Sequence, residues 1–378
     1  MSDGRLLASL IALDKDDWLV VTPDNLFDGS VAAWRRAIWR FDNNTLNYAP
    51  VEAYFSDFYY PGLLTDIFAG KNPRAPSDIL RKDRRQPELK LTLAGLHPDA
   101  ALTTRDVTVR LEVSQAPAGA RDVRLFRNGS LVKVWHGDVL KRRRSVMLEA
   151  TIPLVAGENR LSAYAFNRDN IKSSDATLVV RGAESLKRQG TAYILAVSIN
   201  SYSNPQCDLK YAMADAQAFS AEVRRQQESL KNYSSVVVIS LSDKEATKAN
   251  ILARLAELSG RVQPEDALLV YFAGHGTAQQ NRFYLIPHDL GYNGPRTKLD
   301  EAGLRAILAH SISDRELEQA FERIDTGHLL LVIDACNSGQ ALEAEEKRRG
   351  PMNSKGLAQL AYEKGMYIMT AAQSYQSS

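Results

Sequence analysis

Two side chains in this 378-residue sequence sit where they can act on another molecule. Cys336 leaves the apolar run 329–333 (LLLVI) through Asp334 and Ala335, then enters the turn residues Asn337, Ser338 and Gly339. His275 leaves a second apolar run, 267–272 (ALLVYF), with Gly274 and Gly276 on either side. Thiolate is the attacking form of cysteine, and a neighbouring imidazole takes or balances its proton. The pair is therefore the minimum for nucleophilic catalysis. Most free cysteines are inert core residues, but one that exits a strand into an Asn-Ser-Gly turn has little reason to be. Similar logic separates His275 from His97, His136, His288, His310 and His328, because only His275 has flanking glycines that let a substrate approach the backbone closely. Cys207, in the polar stretch NPQCD before a helix, has no motif around it and reads as a bystander, although a helix N-terminus lowers a thiol pKa. Asp334 lies two residues before Cys336, so on a strand its side chain shares the thiol's face. Burying that carboxylate unpaired is costly. It is either a hydrogen-bonded tie between loops or the receptor for a cationic substrate side chain.

The elements that must position these groups begin near residue 191. Strand-like runs at 193–199, 236–241, 267–272, 283–286, 328–334 and 366–370 alternate with helical spacing over 209–226, 248–260 and 313–324. Such alternation predicts a mostly parallel sheet covered by helices. In sheets of that kind ligands bind outside the carboxyl ends of the strands, where His275 and Cys336 both fall.

The runs YFAGHG and LVIDACNSG resemble the caspase and metacaspase cysteine peptidases, including the caspase-like proteases of bacteria. Caspases carry a Gln-Ala-Cys-[Arg/Gln/Gly]-Gly signature with the His about 50 residues upstream. Here the signature is Asp334-Ala335-Cys336-Asn337-Ser338-Gly339, closer to metacaspases. The resemblance spans the alternating region in the same order, and implies that His275 is the general base and Cys336 the nucleophile. It assigns the oxyanion hole to the N–H groups of Gly276 and Cys336, and supplies a backbone carbonyl in place of a third carboxylate as the orienter of the His. In metacaspases the Asp matching Asp334, with one matching Asp215 of YAMADA, lines an acidic pocket, so cleavage after Arg or Lys is implied. Caspase relatives are cut in the loop after the nucleophile. Here that loop, 343–355, is charged, and Lys347, Arg348 and Arg349 are the candidates for self-cleavage. Some metacaspases bind calcium, but Glu343, Glu345 and Glu346 match no calcium loop, and no metal or other cofactor is expected. A zinc site of His275, His288 and Cys336 lacks ligand spacing. Caspases have a further strand and helices after the last strand seen here, so residues 184–378 are expected to form a C-terminally incomplete peptidase domain. The alternative is a caspase-fold scaffold or interaction module without catalysis.

Upstream, the pattern changes to period two. Runs at 89–93, 107–113, 123–126, 131–135, 146–152, 160–166 and 176–180, with an Asn128-Gly129 hairpin signal, predict an immunoglobulin-like β-sandwich over 88–183. It reads as a spacer or docking module. Residues 1–87 hold three of the chain's four tryptophans and a cluster of Tyr54, Phe55, Phe58, Tyr59 and Tyr60. A lone hairpin at 7–22 is marginal in water, so this aromatic surface needs a partner, in this chain or another protein. The stretch 18–30 resembles the connector that follows a propeller of tryptophan-aspartate repeats in bacterial caspase-like proteins. Either a retained connector, in a truncated or stand-alone relative, or a small α+β cap packed on the peptidase fits.

Lys and Arg number 47 against 45 Asp and Glu, a net charge of +2, which gives no electrostatic footprint for nucleic acid. The basic runs 81–85 and 141–144 read as solvated turns. Two cysteines imply no disulfide framework and suit a reducing compartment. No apolar run reaches the length of a membrane span. Residues 6–13 lack the basic leader of a signal peptide and read as a strand. A cytoplasmic protein acting on protein or peptide substrates is expected.

Overall fold

A computed structural model describes residues 4–42, 46–95, 101–279, 282–335 and 355–370. Near the N-terminus, β1 (Ser9–Ala12), β2 (Trp18–Val21) and β3 (Phe27–Gly29) form a three-stranded antiparallel sheet. The expected hairpin is thus extended by a third strand. Next come α1 (Val31–Arg36), whose N-cap Ser30 accepts from the Ala33 N–H, the paired strands β4 (Ile38–Arg40) and β5 (Tyr48–Pro50), and the short helices α2 (Phe55–Phe58) and α3 (Leu63–Phe68).

Two antiparallel sheets follow. They are built from β6 (Glu88–Leu93), β7 (Asp106–Ser114), β8 (Arg121–Arg127), β9 (Ser130–Asp138), β10 (Val146–Pro153), β11 (Gly157–Phe166) and β12 (Ala176–Gly182). The strand orders are β10-β7-β6 and β12-β11-β8-β9. Val107, Val109, Leu111 and Val113 alternate inward along β7 and share one core with Val123, Leu125 and Leu161 of the second sheet. Asn128 and Gly129 join β8 to β9 with φ of 51° and 86°, the left-handed pair that a two-residue hairpin turn requires.

The third unit contains β13 (Thr191–Ser198), α4 (Ala212–Leu230), β14 (Ser235–Ser242), α5 (Lys248–Ser259), β15 (Ala267–Ala273), β16 (His275–Gln279), β17 (Arg282–Ile286), α6 (Glu301–His310), β18 (Ile312–Ser313), α7 (Asp314–Glu322), β19 (His328–Asp334), α8 (Lys355–Lys364) and β20 (Tyr367–Thr370). Five parallel strands run in the order β14-β13-β15-β19-β20, and β16-β17-β18 form a small antiparallel sheet. Alternation along the central strands serves two faces. Leu195, Val197, Val270 and Phe272 pack with Leu255 of α5 and Phe321 of α7. Ala196, Tyr271 and Ala273 turn the other way, against Ala212 and Ala216 of α4. Burying each of these larger apolar side chains contributes about 1.5–3 kcal/mol. Ser313 and Glu316 form a capping box that starts α7.

The aromatic N-terminal segment is covered within the chain. Phe27, Trp34, Tyr54, Phe55 and Phe58 share a core with Phe126, Leu131, Tyr164 and Phe166 of the second unit, and Tyr362 of α8 packs on it. The Tyr362 ring lies 4.3 Å from Phe55 and 6.0 Å from Trp34. The run 81–85 departs from the expected solvated turn. Lys82 pairs with Asp57 and donates to the Asp169 carbonyl at 3.1 Å, while Arg84 lies over the Phe41 ring at 4.1 Å. Among the described residues no helix is long and apolar enough to cross a membrane.

Candidate active site at the carboxyl ends of the parallel strands

Strands β15 and β19 are neighbours, paired in parallel from Ala267 opposite His328 to Ala273 opposite Asp334. Both chains therefore run out of the sheet at the same edge. The Gly274 N–H donates to the Asp334 carbonyl at 3.2 Å, which continues the ladder one residue further. A Cβ placed on Gly276 would lie 3.3 Å from the Cβ of Ala335 and 3.1 Å from the Phe283 ring. The residue after His275 and the residue before Cys336 are thus in contact. Cys336 itself lies outside the described residues, as do Lys347, Arg348 and Arg349.

His275 is buried. Its backbone N–H donates to the Tyr202 hydroxyl at 2.7 Å, and the Tyr202 ring sits 4.9 Å away. A Cβ on Gly274 would come within 2.9 Å of that hydroxyl, so glycine is what lets Tyr202 reach the chain here. The imidazole Nε2 stands 2.7 Å from the carbonyl oxygen of Cys207. A carbonyl only accepts, so its partner assigns the proton to Nε2 and leaves Nδ1 with its lone pair in the neutral ring. Burial pushes the imidazole pKa down. The Cys207 carbonyl opposes that shift and the Arg296 charge adds to it.

Cys207 contributes its main chain, a part not foreseen in the sequence. Its thiol is buried in the short turn Pro205–Cys207, and α4 begins only at Ala212. Burial pushes this thiol up, the opposite of the helix-terminus effect considered above.

Asp334 is half-buried, and its Oδ2 accepts from the Tyr271 hydroxyl at 2.7 Å. The sequence left two readings for this carboxylate, a hydrogen-bonded tie or a receptor for a cation, and the Tyr271 hydroxyl gives it a neutral protein partner. Among the described residues neither Asp334 nor Asp215 forms an ion pair. Asp215 is exposed in the first turn of α4. Tyr271 is held far above the ordinary phenol range, first by burial, then by its hydrogen bond to Asp334 and the charges of Asp334 and Asp215. It remains a donor at any working pH. The Phe219 ring of α4 stacks on it at 4.4 Å and 19°. Tyr271 and Phe219 had carried no signal in the sequence beyond being apolar positions of a strand and a helix.

The His288 imidazole has a main-chain partner of its own. Its Nδ1 faces the Ser201 carbonyl at 2.7 Å. Among the described residues no three His, Cys, Asp or Glu side chains converge to hold a metal ion.

Residues 194–345 match the family model described as metacaspase, peptidase C14 domain, a span that takes in Asp215, His275, Gly276, Asp334 and Cys336. No curated protein matches the chain. Among solved structures, a Geobacter sulfurreducens protein is 16% identical over 39% of this chain and 50% of its own, with a TM-score of 0.29. The chain thus spans half the length of that protein. Fibronectin(III)-like modules of Clostridium thermocellum CbhA are 14% identical over 25% of this chain and 99% of theirs, TM-score 0.19. A CARDB domain from Pyrococcus furiosus, solved in complex with di-metal ions, is 21% identical over 27% of this chain and 98% of its own, TM-score 0.20. At such scores these likenesses carry no argument.

Proposed function

We propose, from the premise that residues 194–345 are a metacaspase domain of peptidase family C14, that this chain is a cysteine endopeptidase cleaving after Arg or Lys. The observation that carries the reading is the matched exit of β15 and β19, with Ala273 opposite Asp334 and Ala335 against Gly276. It supports a thiol at position 336 working over the same groove as the His275 imidazole.

Each residue has a role in this reading. His275, held through Nε2 by the Cys207 carbonyl, takes the Cys336 proton on Nδ1. The Cys336 sulfur attacks the scissile carbonyl carbon, and the N–H groups of Gly276 and Cys336 receive the oxyanion. His275 then returns the proton to the leaving amine. Water, deprotonated by the same imidazole, releases the acyl group. Asp334 and Asp215 receive the substrate cation. The burial that lowers the His275 pKa keeps the ring neutral near pH 7, as a general base needs. Self-cleavage at Lys347, Arg348 or Arg349 follows from the same specificity. The chain divides, in this reading, into a connector or cap (1–87), an immunoglobulin-like docking module (88–183) and the peptidase (184–378), in a reducing, cytoplasmic setting.

The test is a fluorogenic peptide ending in Arg, assayed with wild type, Cys336→Ala and Asp334→Ala, with and without calcium. Turnover by wild type and its loss in both variants supports the reading. A folded protein without turnover in any condition points to a scaffold. Faster turnover of an Asp-terminated peptide contradicts the specificity.

A further inference from the structure

We infer that Tyr271, through its stack on Phe219, is a positioning residue that fixes the two carboxylates of the cation pocket relative to each other and biases the pocket toward Arg over Lys. The inference rests on the reading of Asp334 and Asp215 as receptors for the substrate cation.

Three observations converge on it. The Tyr271 hydroxyl donates to Oδ2 of Asp334 at 2.7 Å, which occupies one carboxylate oxygen and sets the plane of the group. Oδ1 of Asp334 takes no hydrogen bond among the described residues. The ring carrying that hydroxyl is buried, 5% exposed, and stacks at 4.4 Å on Phe219. Phe219 follows Asp215 by four positions on α4, so the two share one face of the helix. A rigid aromatic pair therefore connects the helix bearing Asp215 to the strand end bearing Asp334.

The chemical consequence concerns shape. With one acceptor site of Oδ2 taken by Tyr271, Asp334 presents mainly Oδ1, and Asp215 is a separate second acceptor. A guanidinium is a planar fork whose N–H groups spread to two acceptors, whereas an ammonium is a compact point charge on a flexible stem. Fixed, separated carboxylates reward the fork. A carboxylate free to rotate meets either cation equally well.

The test uses the full chain with Tyr271→Phe, which keeps the ring and removes the hydroxyl, and Phe219→Ala, which removes the stack. KM and kcat are measured on Arg- and Lys-terminated peptides, alongside the rate at which iodoacetamide alkylates Cys336. Binding of agmatine to each variant in a Cys336→Ala background is followed by NMR titration. Tyr271→Phe is expected to raise KM for the Arg peptide about tenfold, the worth of one hydrogen bond to a charged group. It should leave kcat within about twofold, lower the Arg/Lys preference, weaken agmatine binding and leave alkylation unchanged. Phe219→Ala is expected to move the same quantities in the same direction. If wild type cleaves Arg peptides while Tyr271→Phe keeps its KM and preference, the inference fails and the protease reading stands. A fall in kcat at constant KM also overturns it, because Tyr271 then acts on the nucleophile. If wild type neither cleaves Arg peptides nor binds agmatine, both fall together.

Discussion

The imidazole Nε2 of His275 and the main-chain oxygen of Cys207 lie 2.7 Å apart, with the Tyr202 ring 4.9 Å from the imidazole. A carbonyl cannot give a proton, so this contact fixes the tautomer without adding a negative charge. The imidazole is thereby oriented but not made more basic by an ion pair, and burial lowers its pKa.

The pH dependence follows. In the proposed mechanism the group whose protonation removes activity is His275, and its folded pKa lies below the ordinary imidazole value of about 6.5. The acid limb of kcat/KM for an Arg peptide is expected below that value, with activity lost as pH falls through it. A limb at pH 7 or above would show that the imidazole is stabilised as a cation.

Tyr202→Phe deletes the acceptor of the buried His275 N–H. Leaving that donor unpaired costs about 1–3 kcal/mol, and the loosened His loop is expected to lower kcat severalfold or more with KM nearly unchanged. Gly274→Ala, whose Cβ would meet the same hydroxyl at 2.9 Å, should act in the same direction. Steady-state kinetics on one Arg peptide decides both.

Helix α8 is the described element that follows the candidate cleavage loop; Leu357 and Leu360 pack into the core beside the parallel sheet, and its last turn reaches the second unit. Glu363 pairs with Arg124 of β8 in a buried contact, the two side chains being 7% and 9% exposed. Glu363→Ala leaves the buried guanidinium with only the more distant Glu318 carboxylate, at 3.9 Å, and is expected to cost about 3 kcal/mol in urea denaturation. An effect within about 0.5 kcal/mol, typical of surface positions, would show that the pair is not buried in solution.

Lys364, the next residue, donates to the Leu131 and Ile324 carbonyls at 2.9 and 2.8 Å, and burial pushes its pKa down to about 8. Between that value and the ordinary 10.5 the unfolded chain binds a proton that the folded chain lacks, so this group makes stability rise with pH across the window. The difference in stability between wild type and Lys364→Met should carry that slope. A difference independent of pH from 8 to 10 would contradict it.

Much of this arrangement was legible in the residues themselves. The run 329–333 is apolar and too short for a helix, and a strand forms over 328–334, with Leu329, Leu331 and Ile333 buried and Leu330 and Val332 between them half-buried. Asn128-Gly129 specifies its hairpin because few other pairs tolerate two positive φ angles. The less periodic pieces were not legible. His275–Gln279 contains Gly and Ala with no alternation, yet forms β16 because it pairs with β17. Helix α8 follows a charged loop, and its buried positions serve more than one unit: Leu357 and Leu360 join the core of the parallel sheet, while Tyr362 and Glu363 meet earlier parts of the chain. Asp334 was visible as a carboxylate on the thiol's face. Its partner Tyr271 was hidden because the contact depends on how two strands pair, which no local pattern encodes. The Cys207 carbonyl was hidden for a simpler reason, since main-chain atoms leave no trace in residue type.

The central claim is tested most directly by covalent labelling with a peptidyl-arginine chloromethyl ketone, the modified residue being located by mass spectrometry. The account predicts a label on Cys336, slowed strongly by Asp334→Ala and by His275→Ala, and little reaction with the aspartyl analogue of the reagent. Labelling at Cys207, or equal labelling by both reagents, would contradict it.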